Sequence, residues 1–209
     1  MTKVKICGLS TPETITVAIE EKADFIGFVF YEPSPRFVDI ETASYLASFV
    51  PDSVQKVGLF VNPSMDDLET ILNAVPLNTL QLHGDETPEQ CAAIKEKFDL
   101  PLIKVFGIEN KDDLNAIDAY KDHVDWIMLD AKPEELPGGN GAAFDWSILE
   151  GFESPLPWML AGGLTPENVQ DAIHKIKPTA VDVSSGVESE KGVKDADKIR
   201  AFIRAVKQA

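Results

Sequence analysis

A (β/α)8 barrel of the TIM type, in a single α/β domain, is the fold this sequence predicts, and three observations predict it. Eight short runs are almost continuously apolar, each is followed by a segment with helical spacing or capping, and no Gly-x-Gly-x-x-Gly follows the first run. Unbroken apolar runs belong to strands buried on both faces of a parallel sheet, where the alternation of a half-exposed strand is lost. Eight units in 209 residues give 209/8, about 26 residues each, which is short but within reach of barrels that start near ~200 residues. The competing fold, an open doubly wound sheet, uses about five or six strands and usually carries the missing glycine fingerprint.

The elements follow in order. The first strand is 4–7, and Thr11-Pro12 then supplies a threonine N-cap with proline at the first helical position. The second strand, 25–30, leads to a helix at 41–49, and the third, 54–61, to a helix at 65–75. After the fourth strand, 79–83, Thr87-Pro88-Glu89 repeats the capping signal. The fifth strand, 102–106, precedes a helix at 112–120. The sixth, 126–130, is followed by a loop, 131–143, that holds Pro137-Gly138-Gly139-Asn140-Gly141, and only then by a short helix near Trp146–Leu149. A loop of that length in a compact chain is usually functional or disordered, and its glycines suit a hinged lid or close backbone approach to a ligand. The seventh strand, 158–161, is followed by Thr165-Pro166-Glu167, a third helix start, and the eighth, 180–183, by a helix at 195–206. One barrel accounts for residues 1–209, with no linker or low-complexity stretch.

Composition narrows the function. Lys and Arg number 19 against 35 Asp and Glu, a net charge of −16, with 44% apolar and 26% charged residues. That is an ordinary globular composition, and its sign argues against nucleic acid, which needs a basic face. No apolar run approaches the ~18–20 residues of a membrane span, and the N-terminus lacks a signal-peptide stretch, so a soluble cytoplasmic protein is expected, as monomer or homodimer. Two cysteines, Cys7 and Cys91, do not make a disulfide scaffold, and no metal-ligand spacing or Gly-x-Ser-x-Gly elbow occurs.

In a barrel the reacting groups lie at the carboxyl ends of the strands. That rule selects Cys7, Arg36, Gln81 with His83, Asp130, Gly162-Gly163, and Asp182 with Ser184-Ser185-Gly186. Cys7 is either a small buried hydrophobe or a reactive thiol. Alternation puts Lys5 on its face, where an ammonium would lower the thiol pKa. Asp130 is either a turn or capping residue or a functional carboxylate beneath the glycine loop. Gly162 and Gly163, with the Thr165-capped helix, would point backbone N–H groups and a helix dipole at the mouth. Ser184, Ser185 and Gly186 would add donors, so these two loops are either a phosphate site without a lysine or plain turn glycines and a helix cap, and their joint fit favours phosphate. Arg36, braced by Pro33 and Pro35, is a candidate carboxylate ligand because its fork matches that group. His83 is a base or a rim histidine with a structural hydrogen bond.

Several motifs carry a specific resemblance when taken together. Lys5-Ile6-Cys7-Gly8-Leu9, Gln81-Leu82-His83-Gly84, the 138–146 stretch Gly-Gly-Asn-Gly-Ala-Ala-Phe-Asp-Trp, Leu160-Ala161-Gly162-Gly163-Leu164 and the 181–188 stretch Val-Asp-Val-Ser-Ser-Gly-Val-Glu resemble the phosphoribosylanthranilate isomerases of tryptophan biosynthesis. The resemblance runs from residue 3 to about 204, and departs at Asn140, where the family more often has threonine. It implies a barrel enzyme without cofactor or metal that carries out an Amadori rearrangement on a phosphosugar. The resemblance also implies Cys7 as general base, Asp130 as general acid, Arg36 at the anthranilate moiety and Asp182 as a substrate contact. Gln81 and His83 are expected beside them. An indole-3-glycerol-phosphate synthase would need a lysine and a glutamate at strand ends, and a bifunctional histidine-pathway isomerase an aspartate in place of Cys7. A non-enzymatic phosphosugar binder would need neither Cys7 nor Asp130.

Overall fold

The structure, a computed structural model, describes residues 1–131 and 145–209. Eight parallel strands close into a barrel in chain order: β1 (Lys3–Cys7), β2 (Phe25–Val29), β3 (Gln55–Phe60), β4 (Thr79–Leu82), β5 (Leu102–Ile108), β6 (Trp126–Ala131), β7 (Trp158–Leu160) and β8 (Ala180–Val183). The barrel closes where β1 pairs with β8, in a register that sets Lys5 beside Asp182 and Val4 beside Val181. The expected strands are all present, with ends shifted by up to two residues: β5 runs on to Ile108 and β7 stops at Leu160.

Residue parity divides the core into two layers. One face of each strand fills the barrel, where Phe25, Val57, Ile103, Val105, Met128, Met159, Ala161 and Ala180 form a dry cluster. The alternate residues, such as Ile6, Ile26, Leu80, Leu102, Leu129 and Val181, pack outward into the larger core. Both faces are therefore apolar, which is why the strands read as unbroken runs. Lys5, Cys7, Gln81, Asp130 and Asp182 share the inward parity of that dry cluster.

Helices α1 (Pro12–Glu20), α2 (Ile40–Ala47), α3 (Met65–Ala74) and α4 (Pro88–Phe98) start from the side chains of Thr11, Asp39, Ser64 and Thr87, each of which accepts a backbone N–H inside its helix. This satisfies donors that would otherwise be orphaned at a helix start. Three expectations change. The segment Lys111–Tyr120 is a series of 3₁₀ turns, not an α-helix. Thr165-Pro166-Glu167 forms a turn, and α5 (Val169–Ile176) begins later, with Asn168 at its N-cap. The Asn168 side chain is drawn back instead, accepting from Thr165 N–H at 2.8 Å and donating to Gly163 O at 2.9 Å. After β8 a hairpin of β9 (Glu188–Glu190) and β10 (Val193–Lys194) precedes α6 (Ala196–Gln208). The glycine loop of 138–141 lies outside the described residues. No helix among the described residues is long and apolar enough to cross a membrane.

Candidate active site

One pocket at the carboxyl end of the barrel is lined by Cys7, Arg36, Gln81, His83, Asp130, Asp182 and Ser184, with Val29, Tyr31, Leu59 and Val61 as apolar wall. Four strands, β1, β4, β6 and β8, thus deliver Cys7, Gln81, Asp130 and Asp182 to one cavity, along with Arg36, His83 and Ser184 from the loops after β2, β4 and β8.

Cys7 is buried beside Lys5 and Asp182. The Lys5 ammonium, fully enclosed, donates to Asp182 Oδ1 at 2.7 Å. Burial alone would lower the lysine pKa, but the Asp182 carboxylate and Cys7 raise it, so Lys5 is a fixed cation. Gly27 leaves room for this group: a Cβ there would stand 3.0 Å from Cys7 Sγ and 3.3 Å from Lys5 Nζ. The expected lowering of the thiol does not prevail. Burial pushes the Cys7 thiol above its usual range, and the opposing Lys5 charge is the smaller effect.

Asp130 meets the requirement for a carboxylic acid that keeps its proton. Burial, and then repulsion from Asp182, push its pKa up to about 7, against the Ala131 N–H and the Lys5 charge. His83 Nε2 lies 3.6 Å from Asp130 Oδ2, too far for a hydrogen bond. The same burial, with the charges of Lys5 and Lys104, pushes His83 down to about 3, so it is neutral. The structural hydrogen bond that is one reading of His83 is not seen for its Nδ1, which, like Gln81 Oε1, is buried with no partner among the described residues. A buried polar atom left unpaired is costly, and both of these belong to residues that line the pocket.

The two glycine loops meet. Gly162 and Gly163 both have positive φ, +83° and +66°, and a Cβ on Gly162 would stand 2.6 Å from Ala131 N and 3.0 Å from Asp130 Oδ1. A Cβ on Gly186 would run into the Leu164 carbonyl oxygen. Gly162, Gly163, Ser185 and Gly186 lie outside the lining of the pocket itself, which reaches this side at Ser184.

Arg36 is buried and its Nε and Nη2 donate to Glu188 at 2.6 and 2.9 Å, so that edge of the fork is engaged within the protein. Glu188 also accepts from Lys194 Nζ at 2.6 Å. Although burial opposes it, hydrogen bonds from Arg36 and Lys194 and the Lys194 charge hold the Glu188 carboxyl down at about 2. Sequence reasoning assigned no role to Glu188, which entered only as the last residue of the 181–188 motif, or to Lys194, which entered no motif. It also missed the buried pair Lys104–Glu86, 2.9 Å apart, which joins the loops after β3 and β4: Glu86 accepts from Asn62 N–H, and Lys104 donates to Gly84 O. A lysine inside the apolar run of β5 was the available signal, since a buried ammonium needs a carboxylate. Among the described residues no group of His, Cys, Asp or Glu is arranged to hold a metal ion.

Comparison with known proteins gives one consistent result. The family model for N-(5′-phosphoribosyl)anthranilate (PRA) isomerase matches residues 4–205. A curated N-(5′-phosphoribosyl)anthranilate isomerase of Paramagnetospirillum magneticum is 52% identical over 208 residues, covering 98% of this chain and 97% of the relative. The crystal structure of phosphoribosyl anthranilate isomerase from Thermotoga maritima superposes with a TM-score of 0.91 at 39% identity, over the whole of both chains. A second such structure, in complex with reduced 1-(o-carboxyphenylamino)-1-deoxyribulose 5-phosphate, has a TM-score of 0.88 at 38% identity, again over the whole of both chains.

Proposed function

The chain belongs to the N-(5′-phosphoribosyl)anthranilate isomerase family, and from that premise we propose that Cys7 and Asp130 are the base and acid of its reaction. The enzyme is an isomerase of tryptophan biosynthesis that converts N-(5′-phosphoribosyl)anthranilate to 1-(2-carboxyphenylamino)-1-deoxyribulose 5-phosphate. The observation that carries the assignment is the shared pocket of Cys7 and Asp130, with Asp130 buried so that it holds a proton near neutrality.

The chemistry follows from the two groups. Asp130 gives its proton to the furanose ring oxygen as the bond from that oxygen to C1′ breaks, and the anthranilate nitrogen takes up the cation as a Schiff base. The Schiff base acidifies C2′–H, and Cys7 removes that proton as the thiolate, the minor form, which the Lys5 charge favours against the burial that holds the thiol. The resulting enolamine tautomerises to the aminoketose. Asp182 keeps Lys5 in place and faces the sugar, and the unpaired Gln81 Oε1 and His83 Nδ1 are ready partners for its hydroxyls. The phosphate lies on the amides of Gly162, Gly163, Ser184, Ser185 and Gly186, and Arg36 faces the anthranilate carboxylate. This reading gives residues 1–209 one barrel domain, in the cytoplasm, with a small phosphosugar as the substrate.

The test is turnover of freshly made substrate, followed by loss of anthranilate fluorescence. Cys7→Ser is expected to lower kcat by at least ~10²-fold while the reduced product analogue still binds, because a hydroxyl is too weak an acid to supply an equivalent base. Asp130→Asn is expected to do the same, since an amide holds no proton to give. Near-normal kcat in either variant removes that residue from the pair.

A further inference from the structure

Four hydrogen bonds converge on the Glu188 carboxylate: Arg36 Nε at 2.6 Å, Arg36 Nη2 at 2.9 Å, Lys194 Nζ at 2.6 Å and Gly192 N–H at 3.0 Å. A carboxylate offers about four acceptor sites, so this one is full, and its side chain is 4% exposed. The donors lead to different parts of the site. Arg36 comes from the loop after β2, and its stem lies against Gly8, where a Cβ would be 2.9 Å from Arg36 Cδ. Lys194 also donates to Ser184 O at 3.0 Å and bonds Ser184 Oγ at 3.1 Å, and that hydroxyl donates to Cys7 O at 3.2 Å. An unbroken polar chain therefore runs from Arg36 through Glu188, Lys194 and Ser184 to the backbone of Cys7.

We propose that Glu188 is a positioning residue that sets both anion-holding ends of the site at once, aiming Arg36 at the substrate carboxylate and, through Lys194, fixing the Ser184 loop at the phosphate. The proposal rests on the roles given above to Arg36 and to the loop after β8. A buried ion pair contributes little net stability relative to apolar packing, so holding its cations at fixed points is the effect by which this one is to be judged. An arginine fixed before the ligand arrives also loses less side-chain entropy on binding.

The experiment compares Glu188→Gln and Glu188→Asp with wild type in three binding measurements. The reduced product analogue reports both ends, anthranilate the carboxylate end, and inorganic phosphate the phosphate end. Gln keeps the shape but removes the charge and puts a donor NH2 where one carboxylate oxygen accepted, against Arg36 and either Lys194 or Gly192, and Asp keeps the charge but withdraws it by one methylene. Both are expected to weaken the analogue by about tenfold or more, to weaken each of the two fragments, and to raise KM by a larger factor than they lower kcat. Should Gln fail to fold, as judged by circular dichroism, Asp decides alone. Unchanged binding in a folded variant, weakening of one fragment only, or wild-type affinity in Asp overturns the proposal, the last because charge alone would then suffice. Arg36→Met separates the two levels. If it leaves anthranilate binding unchanged, the role given to Arg36 fails. If it weakens anthranilate while the Glu188 variants do not, only the present inference fails.

Discussion

Asp130 pays for its proton in stability. Its pKa of about 7 in the folded protein compares with about 4 in an unfolded chain. The folded state therefore binds more protons between those values, and stability falls as pH rises from about 4 to about 7, then levels off. Asp130→Asn has no such proton to lose. It is expected to be more stable than wild type at pH 8, with the advantage shrinking as pH falls towards 4, because a tenfold change in proton affinity is worth about 1.4 kcal/mol. Urea midpoints at pH 5 and pH 8 test this, and an equal difference at the two would mean that burial does not perturb Asp130. Residues of this kind were legible because a polar group ending an apolar strand has few places to go. Glu188 and Lys194 were not, since nothing in a short polar stretch marks which charges will meet Arg36 from 152 residues away. The state of Cys7 was misread for a related reason: alternation shows that Lys5 is near, but not how completely both are enclosed.

Between residues and barrel, the loops carry the specificity of the elements. The strands were readable because burial on both faces leaves one long signal, and two of the helices because Thr11 and Thr87 cap them by a local rule. The turn at Thr165 obeyed a different local preference, as Asn168 bonded back to Gly163 O and Thr165 N–H and delayed the helix. The small hairpin of β9 and β10 has too few apolar residues to announce itself. The loops after β7 and β8 touch at Gly186, where any side chain would meet the Leu164 carbonyl. Gly186→Ala is expected to part the two loops and weaken inhibition by inorganic phosphate about tenfold, or ~1.4 kcal/mol, with little change in the affinity for anthranilate. A phosphate inhibition constant that stays at the wild-type value would show that the anion does not depend on this contact.

For the whole molecule, charge and closure matter most. A net charge of −16 faces a substrate with a carboxylate and a phosphate. Repulsion between exposed charges is screened beyond about 10 Å at 0.1 M salt, whereas buried groups such as Arg36 are screened less. Raising NaCl from about 0.01 to 0.1 M is therefore expected to increase kcat/KM by roughly two- to threefold. A steady fall over that range would mean that local cations outweigh the global field.

The seam of the barrel has a further consequence. Among the strands of the barrel, Cys7 and Lys5 lie on the first to leave the ribosome, and Asp182, the counter-charge of Lys5, on the last. A growing chain that has not yet made β8 holds an ammonium with no carboxylate, and a thiol without the walls that enclose it. The reacting group made earliest is thus the one completed latest, and a circular permutant that joins the chain's ends and opens elsewhere in the barrel would make β8 and β1 consecutive, so that Lys5 meets its carboxylate without waiting for the rest of the barrel.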